Sequence, residues 1–274
     1  MKTLLVPIDF SEPALNAMRY AAGMAMATGA GVTLLHAYHV PVPANGEPMA
    51  VLSADEIEAG LRDQLQKLER EIQGLTSGKV QVRSEVRAGF AVEEILDASK
   101  QHEVDLIVMG ITGAGRISRA LLGSNSASVL RKAAVPVLIV PAEARFSKIK
   151  TIVLAYDYSK PLPAQVVDRI KGMAELFSAR LLVLDVVRPQ SIPTMENAVA
   201  GVQLENSFRT IEHQLYFPAS DDVIGEISAF SGKHQADLLI MLPHRHTLLS
   251  RLFQPGNTRQ MAFHTHLPLL SLHE

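Results

Sequence analysis

Apolar residues recur along this chain in two rhythms: short unbroken runs of strand length, and longer stretches in which they return every three or four positions. The first run, Leu4 to Ile8, has little polar alternation, as expected of a strand covered on both faces, and stops at Asp9-Phe10-Ser11. Glu12 to Thr28 then carries Leu15, Met18, Ala21, Ala22 and Ala25 at helical spacing and runs into Gly29 and Gly31, where left-handed backbone is accessible. Val32 to Tyr38 predicts a second buried strand, and His39 to Pro48, with its prolines, a loop. Ser53 with Glu56 forms a capping box that should open a long, charged, partly solvent-facing helix reaching about Thr76. Val80 to Val86 alternates like an edge strand, Ala91 to His102 is helical, and Asp105 to Met109 is another buried strand. A Gly-rich stretch follows, then a helix from Ser126 to about Ala133 and the strand Val135 to Val140. Strands alternating with helices throughout imply a parallel sheet.

The pattern restarts at Thr151, so the chain is read for repetition. Asp9-Phe10-Ser11 returns as Asp157-Tyr158-Ser159, an offset of 148 (157 less 9). Asp105-Leu106-Ile107-Val108-Met109 returns as Asp237-Leu238-Leu239-Ile240-Met241, an offset of 132 (237 less 105), so the second copy lacks 16 residues between, around the long second helix. From Glu94 to Pro136 no gap is needed, and Glu226, Ile227, Ser250, Arg251, Asn257 and Pro268 match their counterparts. The sequence therefore predicts two similar α/β domains, residues 1–143 and 148–274, joined by a short polar linker within Pro141 to Lys150.

Composition changes this picture little but removes alternatives. The chain of 274 residues is long enough for two cores, and 47% hydrophobic with 20% charged residues is ordinary for a globular protein. A net charge of -2 with both signs interspersed provides no field for nucleic acid or anionic membrane. The absence of cysteine excludes disulfides, thiolate metal sites and cysteine nucleophiles, and points to a cytoplasmic protein. Asp9 and Pro13 interrupt the N-terminal apolar run before a signal-peptide core could form, and no apolar run is long enough to span a bilayer.

Candidate chemistry concentrates in Gly110 to Ser126, GITGAGRISRALLGSNS, between a buried strand and a helix. At the carboxyl end of a parallel strand, glycines let a ligand approach the backbone, while the amides opening the next helix are unpaired donors at its positive end. Gly123, Ser124, Asn125 and Ser126 occupy that opening; the same residues read equally well as a turn with Ser124 or Ser126 as the cap. A phosphate-binding P-loop would need Lys then Ser or Thr where Arg116 and Ile117 stand. Arg116 and Arg119 could clamp phosphate, but two basic residues in a loop are more often solvated and are read so here. His244 with His246 and His264 with His266 are alternate-residue pairs that could offer imidazoles to a metal, without an evident acidic third ligand.

Gly110, two residues, Gly113, nine residues, then Gly123-Ser124 resembles the ATP-binding signature of the universal stress protein family. Asp9 after the first strand, Gly89-Phe90-Ala91 before the third helix, and Val135-Pro136-Val137-Leu138-Ile139-Val140 at the end also look like that family. The resemblance covers both halves and implies two tandem doubly wound α/β domains, each a five-stranded parallel sheet flanked by helices, of the adenine nucleotide alpha hydrolase-like kind. It implies ATP, with magnesium, in the first domain: Pro7, Ile8 and Asp9 at adenine, ribose and metal, and Ala37 lining the adenine pocket. Met109, Gly110, Thr112 and Gly113 would flank ribose and phosphate, with Gly123, Ser124, Asn125 and Ser126 on the phosphates. Thr112 stands where the family often has a basic residue or His, and Asn125 replaces a usual aliphatic one. Asp9 retains a second reading, as part of the first helix's cap with Ser11.

The second copy has Ala155 for Pro7, Leu242 for Gly110, Arg245 for Gly113 and Pro255 for Gly123, which predicts a degenerate domain and one nucleotide per chain. The expected function is an ATP-binding stress-response or regulatory protein. The alternatives are a nucleotide-handling enzyme with slow ATP hydrolysis and a carrier of an apolar ligand in the second domain. Neither an HIGH-type motif nor a Ser-Gly-Gly loop occurs, and no base accompanies Asp9 in the motif, so dedicated catalysis is not expected. The terminal strands of the two domains are expected to pair as an intramolecular pseudo-dimer, with a homo-oligomer open as a further state.

Overall fold

A computed structural model describes residues 1–39, 53–111, 124–157, 162–190, 195–242 and 267–272. Two compact units divide the described chain, one ending at Phe146 and the other beginning at Ser147.

In the first unit the elements run β1 (Thr3–Pro7), α1 (Glu12–Thr28), β2 (Gly31–Tyr38), α2 (Ala54–Leu75), β3 (Val82–Ala88), α3 (Ala91–Gln101), β4 (Leu106–Ile111), α4 (Ser124–Lys132) and β5 (Val137–Pro141). The strands lie in the order β3-β2-β1-β4-β5, all pairs parallel. The apolar runs are the reason: Leu4, Leu5, Val6, Ile107, Val108 and Val137 through Val140 are essentially without solvent exposure, since helices cover both faces of a parallel sheet. The expected capping box holds, with Glu56 N–H donating to Ser53 Oγ at 3.2 Å and Ser53 N–H to Glu56 Oε2 at 2.8 Å. The bonds that Ser53 N–H and, next, the Ser53 hydroxyl donate to Glu56 Oε2 hold its carboxyl below the usual pKa. α2 buries Leu65 and Ile72 and leaves most of its surface to water.

The second unit repeats the pattern as β6 (Thr151–Ala155), α5 (Ala164–Phe177), β7 (Arg180–Leu184), α6 (Met195–Phe208), β8 (His213–Tyr216), α7 (Val223–Lys233), β9 (Leu238–Met241) and β10 (Leu269–Ser271). Its order is β10-β9-β6-β7-β8, again parallel.

One device recurs in both units. Asp105 Oδ2 accepts from the N–H groups of Lys2 and Thr3, and its own N–H donates to Thr3 O at 3.0 Å. Asp237 Oδ2 does the same for Lys150 and Thr151, at 2.7 and 2.9 Å. A carboxylate on two amides is a charge-assisted clamp that ties the start of the central strand to its neighbour.

The register refines the repeat. Thr3 pairs with Gly31 and Thr151 with Arg180, an offset of 149 at the second strand (180 less 31). Val32 pairs with Val82 and Leu181 with His213, an offset of 131 at the third (213 less 82). The 16 residues are thus the net of an 18-residue loss (149 less 131) and two single insertions, which sequence matching at the ends could not separate.

Two sequence expectations need correction. The helix expected from Ser126 begins at Ser124, so Ser126 lies inside its first turn and is not its cap. The segment read as a linker is held to the first unit as far as Phe146: Asn16 Nδ2 donates to Pro141 O at 2.8 Å and Ala144 O at 3.1 Å. Phe146 packs edge-on against Tyr20 and fills the space beside Gly23, where a Cβ would come within 2.8 Å of the ring.

Candidate functional site

The strand order reverses direction between β1 and β4, and in an open α/β sheet the crevice at the carboxyl ends of such strands is where ligands bind. Pro7 ends β1 half-buried, Ile8 is buried and Asp9 exposed. Ile8 N–H donates to Leu35 O at 2.8 Å, which holds the end of β1 against β2 one residue beyond the strand. Ala37, half-buried, lies near the end of β2; Met109, 7% exposed, and Gly110 lie near the end of β4. Asn125 is exposed and Ser126 buried in the first turn of α4, where Ser124 begins the helix. Thr112, Gly113 and Gly123 lie outside the described residues, as do Arg116, Arg119 and the paired histidines at 244, 246, 264 and 266. Among the described residues no three metal-ligating side chains gather.

The capping reading of Asp9 has a footing in the geometry. Its Oδ1 accepts from Ser11 N–H at 3.0 Å and from the Ser11 hydroxyl, while Ser11 is the N-cap of α1 and accepts weakly from Ala14 N–H. Asp9 therefore steadies the cap, and its Oδ2 makes no hydrogen bond among the described residues. Phe10, between them, adopts φ +61°, a left-handed conformation rare for a side chain of this size. Its ring lies 4.8 Å from that of His36, whose Nδ1–H donates to Ile8 O at 2.6 Å.

Gly110 has a packing role besides the one expected of it beside ribose and phosphate. A Cβ there would sit 2.1 Å from Pro13 O and 2.4 Å from Pro13 C, so its missing side chain lets the first turn of α1 rest on β4. In the second unit Leu242 takes this place, and the helix after β6 starts late. Residues 8–11 separate β1 from α1, whereas residues 156–163 separate β6 from α5. Pro163 stands directly before α5, and the two helices end alike, each at a left-handed C-cap, Gly29 and Ser178.

Residues that sequence reasoning did not assign also gather here. Phe90 is 64% exposed and occupies the N-cap of α3 without making a capping bond. His39 stacks on it with ring centroids 5.2 Å apart and planes 23° from parallel. Gly89 N–H donates to Tyr38 O at 2.9 Å, binding the turn to the end of β2. The signal available in the sequence was an aromatic residue where a capping residue belongs. Below it, on β3 and α3, partial burial would raise the Glu85 pKa, but hydrogen bonds from Arg87 and His102 prevail and lower it.

Comparison with known proteins agrees with this architecture. Residues 1–141 match the model of the universal stress protein family. A universal stress protein of Thermus aquaticus is 36% identical over 143 residues, 51% of this chain and 98% of that protein. One of Mycolicibacterium smegmatis is 35% identical over 141 residues, 50% of this chain but only 47% of its own length. The crystal structure of a universal stress protein from Archaeoglobus fulgidus has the same fold over 99% of this chain and 98% of that one, with TM-score 0.74 at 19% identity. No helix among the described residues is long and apolar enough to cross a membrane. Family match, repeated α/β halves and full-length structural likeness together place the chain in the universal stress protein family, as a tandem member belonging to the stress response.

Proposed function

We propose that the first half binds one ATP at the crevice between the ends of β1 and β4, that this occupancy serves a regulatory role in the stress response, and that the second half binds none. The observation that carries the reading is the switch point itself. There Pro7, Ile8 and Asp9 leave β1 next to Gly110 on β4, and α4 opens on Ser124 with Asn125 and Ser126 in its first turn. Such an opening offers amide donors and a positive dipole end to phosphate oxygens. Gly113 and Gly123 would let the phosphates approach the backbone, with Thr112 beside them and Ala37 and Met109 toward the base and ribose. Asp9, with Oδ1 held by Ser11 and Oδ2 without a hydrogen bond among the described residues, fits a contact to phosphate-bound magnesium. The metal, when bound, neutralises phosphate charge; the chain's own part is to hold that carboxylate in place.

Calorimetric titration of the full chain with ATP and magnesium tests this. One site per chain is expected, and Gly113→Val or Gly123→Val should abolish it while circular dichroism stays unchanged. Two equivalent sites, or unchanged affinity in both folded variants, would overturn the reading.

A further inference from the structure

Resting on that nucleotide reading, we propose that the stacked pair His39–Phe90 is a platform for the purine base, a specificity element that the second half has discarded. An N-cap position favours Ser, Thr, Asp or Asn, whose oxygen satisfies an amide of the first turn. The equivalent N-cap in the second half obeys this rule: Asp222, before α7, accepts from Gly225 N–H at 3.0 Å. Phe90, before α3, forgoes the bond and stands 64% exposed. His39 in turn corresponds to Arg188 by the 149-residue register. A capping rule broken in one copy and kept in the other, with an exposed aromatic in its place, points to a function at that position.

The position fits a base. Side chains alternate along β2, and Tyr38 reaches Glu58 of α2 through its hydroxyl, so Ala37 belongs to the opposite face, that of α3 and α4. α3, which follows Phe90 directly, packs against α4 on that face. A ligand with phosphates at the opening of α4 and its far end by Ala37 therefore brings its ring system toward His39 and Phe90. A flat apolar ring with an imidazole stacked behind it attracts another flat π-system, and a purine offers more stacking area than a pyrimidine.

The test uses the full chain with ATP, CTP and inorganic tripolyphosphate as probes in calorimetry and competition. Phe90→Ala should weaken ATP about tenfold, the scale of one lost stacking contact, leave tripolyphosphate unchanged, and narrow the preference for ATP over CTP. Phe90→Trp should retain ATP affinity. Phe90→Asp, which restores the cap and so keeps α3 folded, should weaken ATP at least as much as Phe90→Ala. If the parent chain binds ATP and Phe90→Ala and Phe90→Asp bind it equally well, the platform is wrong and the nucleotide site stands. If the parent chain binds no ATP, both fail together.

Discussion

At the amino edges of their sheets the two halves repeat the same contacts, and at the carboxyl edges they part. Asp105 and Asp237 clamp the same amides, and Glu103 and Gln235 turn with the same positive φ, 47° and 51°, after His102 and His234. At the other edge Gly110 is replaced by Leu242 and the N-cap Phe90 by Asp222, and α1 opens after four intervening residues where α5 opens after eight. A duplicated domain has kept what holds the sheet together and changed what would meet a ligand. Retention at one edge fits a fold common to both halves; divergence at the other accords with the proposal that the first half alone binds nucleotide.

The largest effect should come from carrying the difference at β4 across. Gly110→Leu forces a side chain into the Pro13 backbone and should destabilise the first half by about 3 kcal/mol in urea unfolding, because backbone cannot move aside as a side-chain tip can. A midpoint equal to that of the parent would mean that α1 can retreat as α5 has, and that the glycine is not what sets where the helix opens. Next, Asp105→Ala and Asp237→Ala should each lose about 2 kcal/mol by removing a charged acceptor from two amides. A marked loss in one half and none in the other would break the claim of a common clamp.

A smaller effect is expected at the caps. Asp222→Ala should lower stability by about 1 kcal/mol, and Phe90→Asp should raise it by up to about the same amount. A fall in stability with Phe90→Asp would show that the aromatic is a packing residue. The smallest concerns pH. Burial, followed by the charges of Lys233 and Arg180, lowers the pKa of His234 from 6.5, so the folded chain prefers the ring neutral. As pH falls through 6.5 the unfolded chain takes up this proton first; the stability due to the neutral ring is complete above that pH and is lost below it. Replacing His234 by Gln should flatten the acid-side slope of stability against pH, and an unaltered slope would remove this group from the account.

Much of the framework was legible in the chain itself. α1 falls at Glu12–Thr28 as its periodicity predicts, the Ser53–Glu56 box opens α2 at the expected turn, and unbroken apolar runs become central strands. These follow from local causes: side-chain period, cap chemistry, and the need of a strand buried on two faces to be apolar throughout. The glycine spacing also marked the region after β4 as the place to look. Tertiary structure alone decided what individual residues there do. Gly110 serves the seating of α1 on β4, a contact between residues nearly a hundred positions apart that no local pattern encodes. The segment after Pro141 looked like a linker because its polar residues are common in loops, yet Asn16 on α1 holds its carbonyls. Phe90 and His39 meet only because β2 and β3 lie side by side in parallel register, which brings the residues following both strands to one edge. Periodicity and capping act within a few residues of the chain, whereas pairing register and close backbone approach depend on which distant segments share the same space.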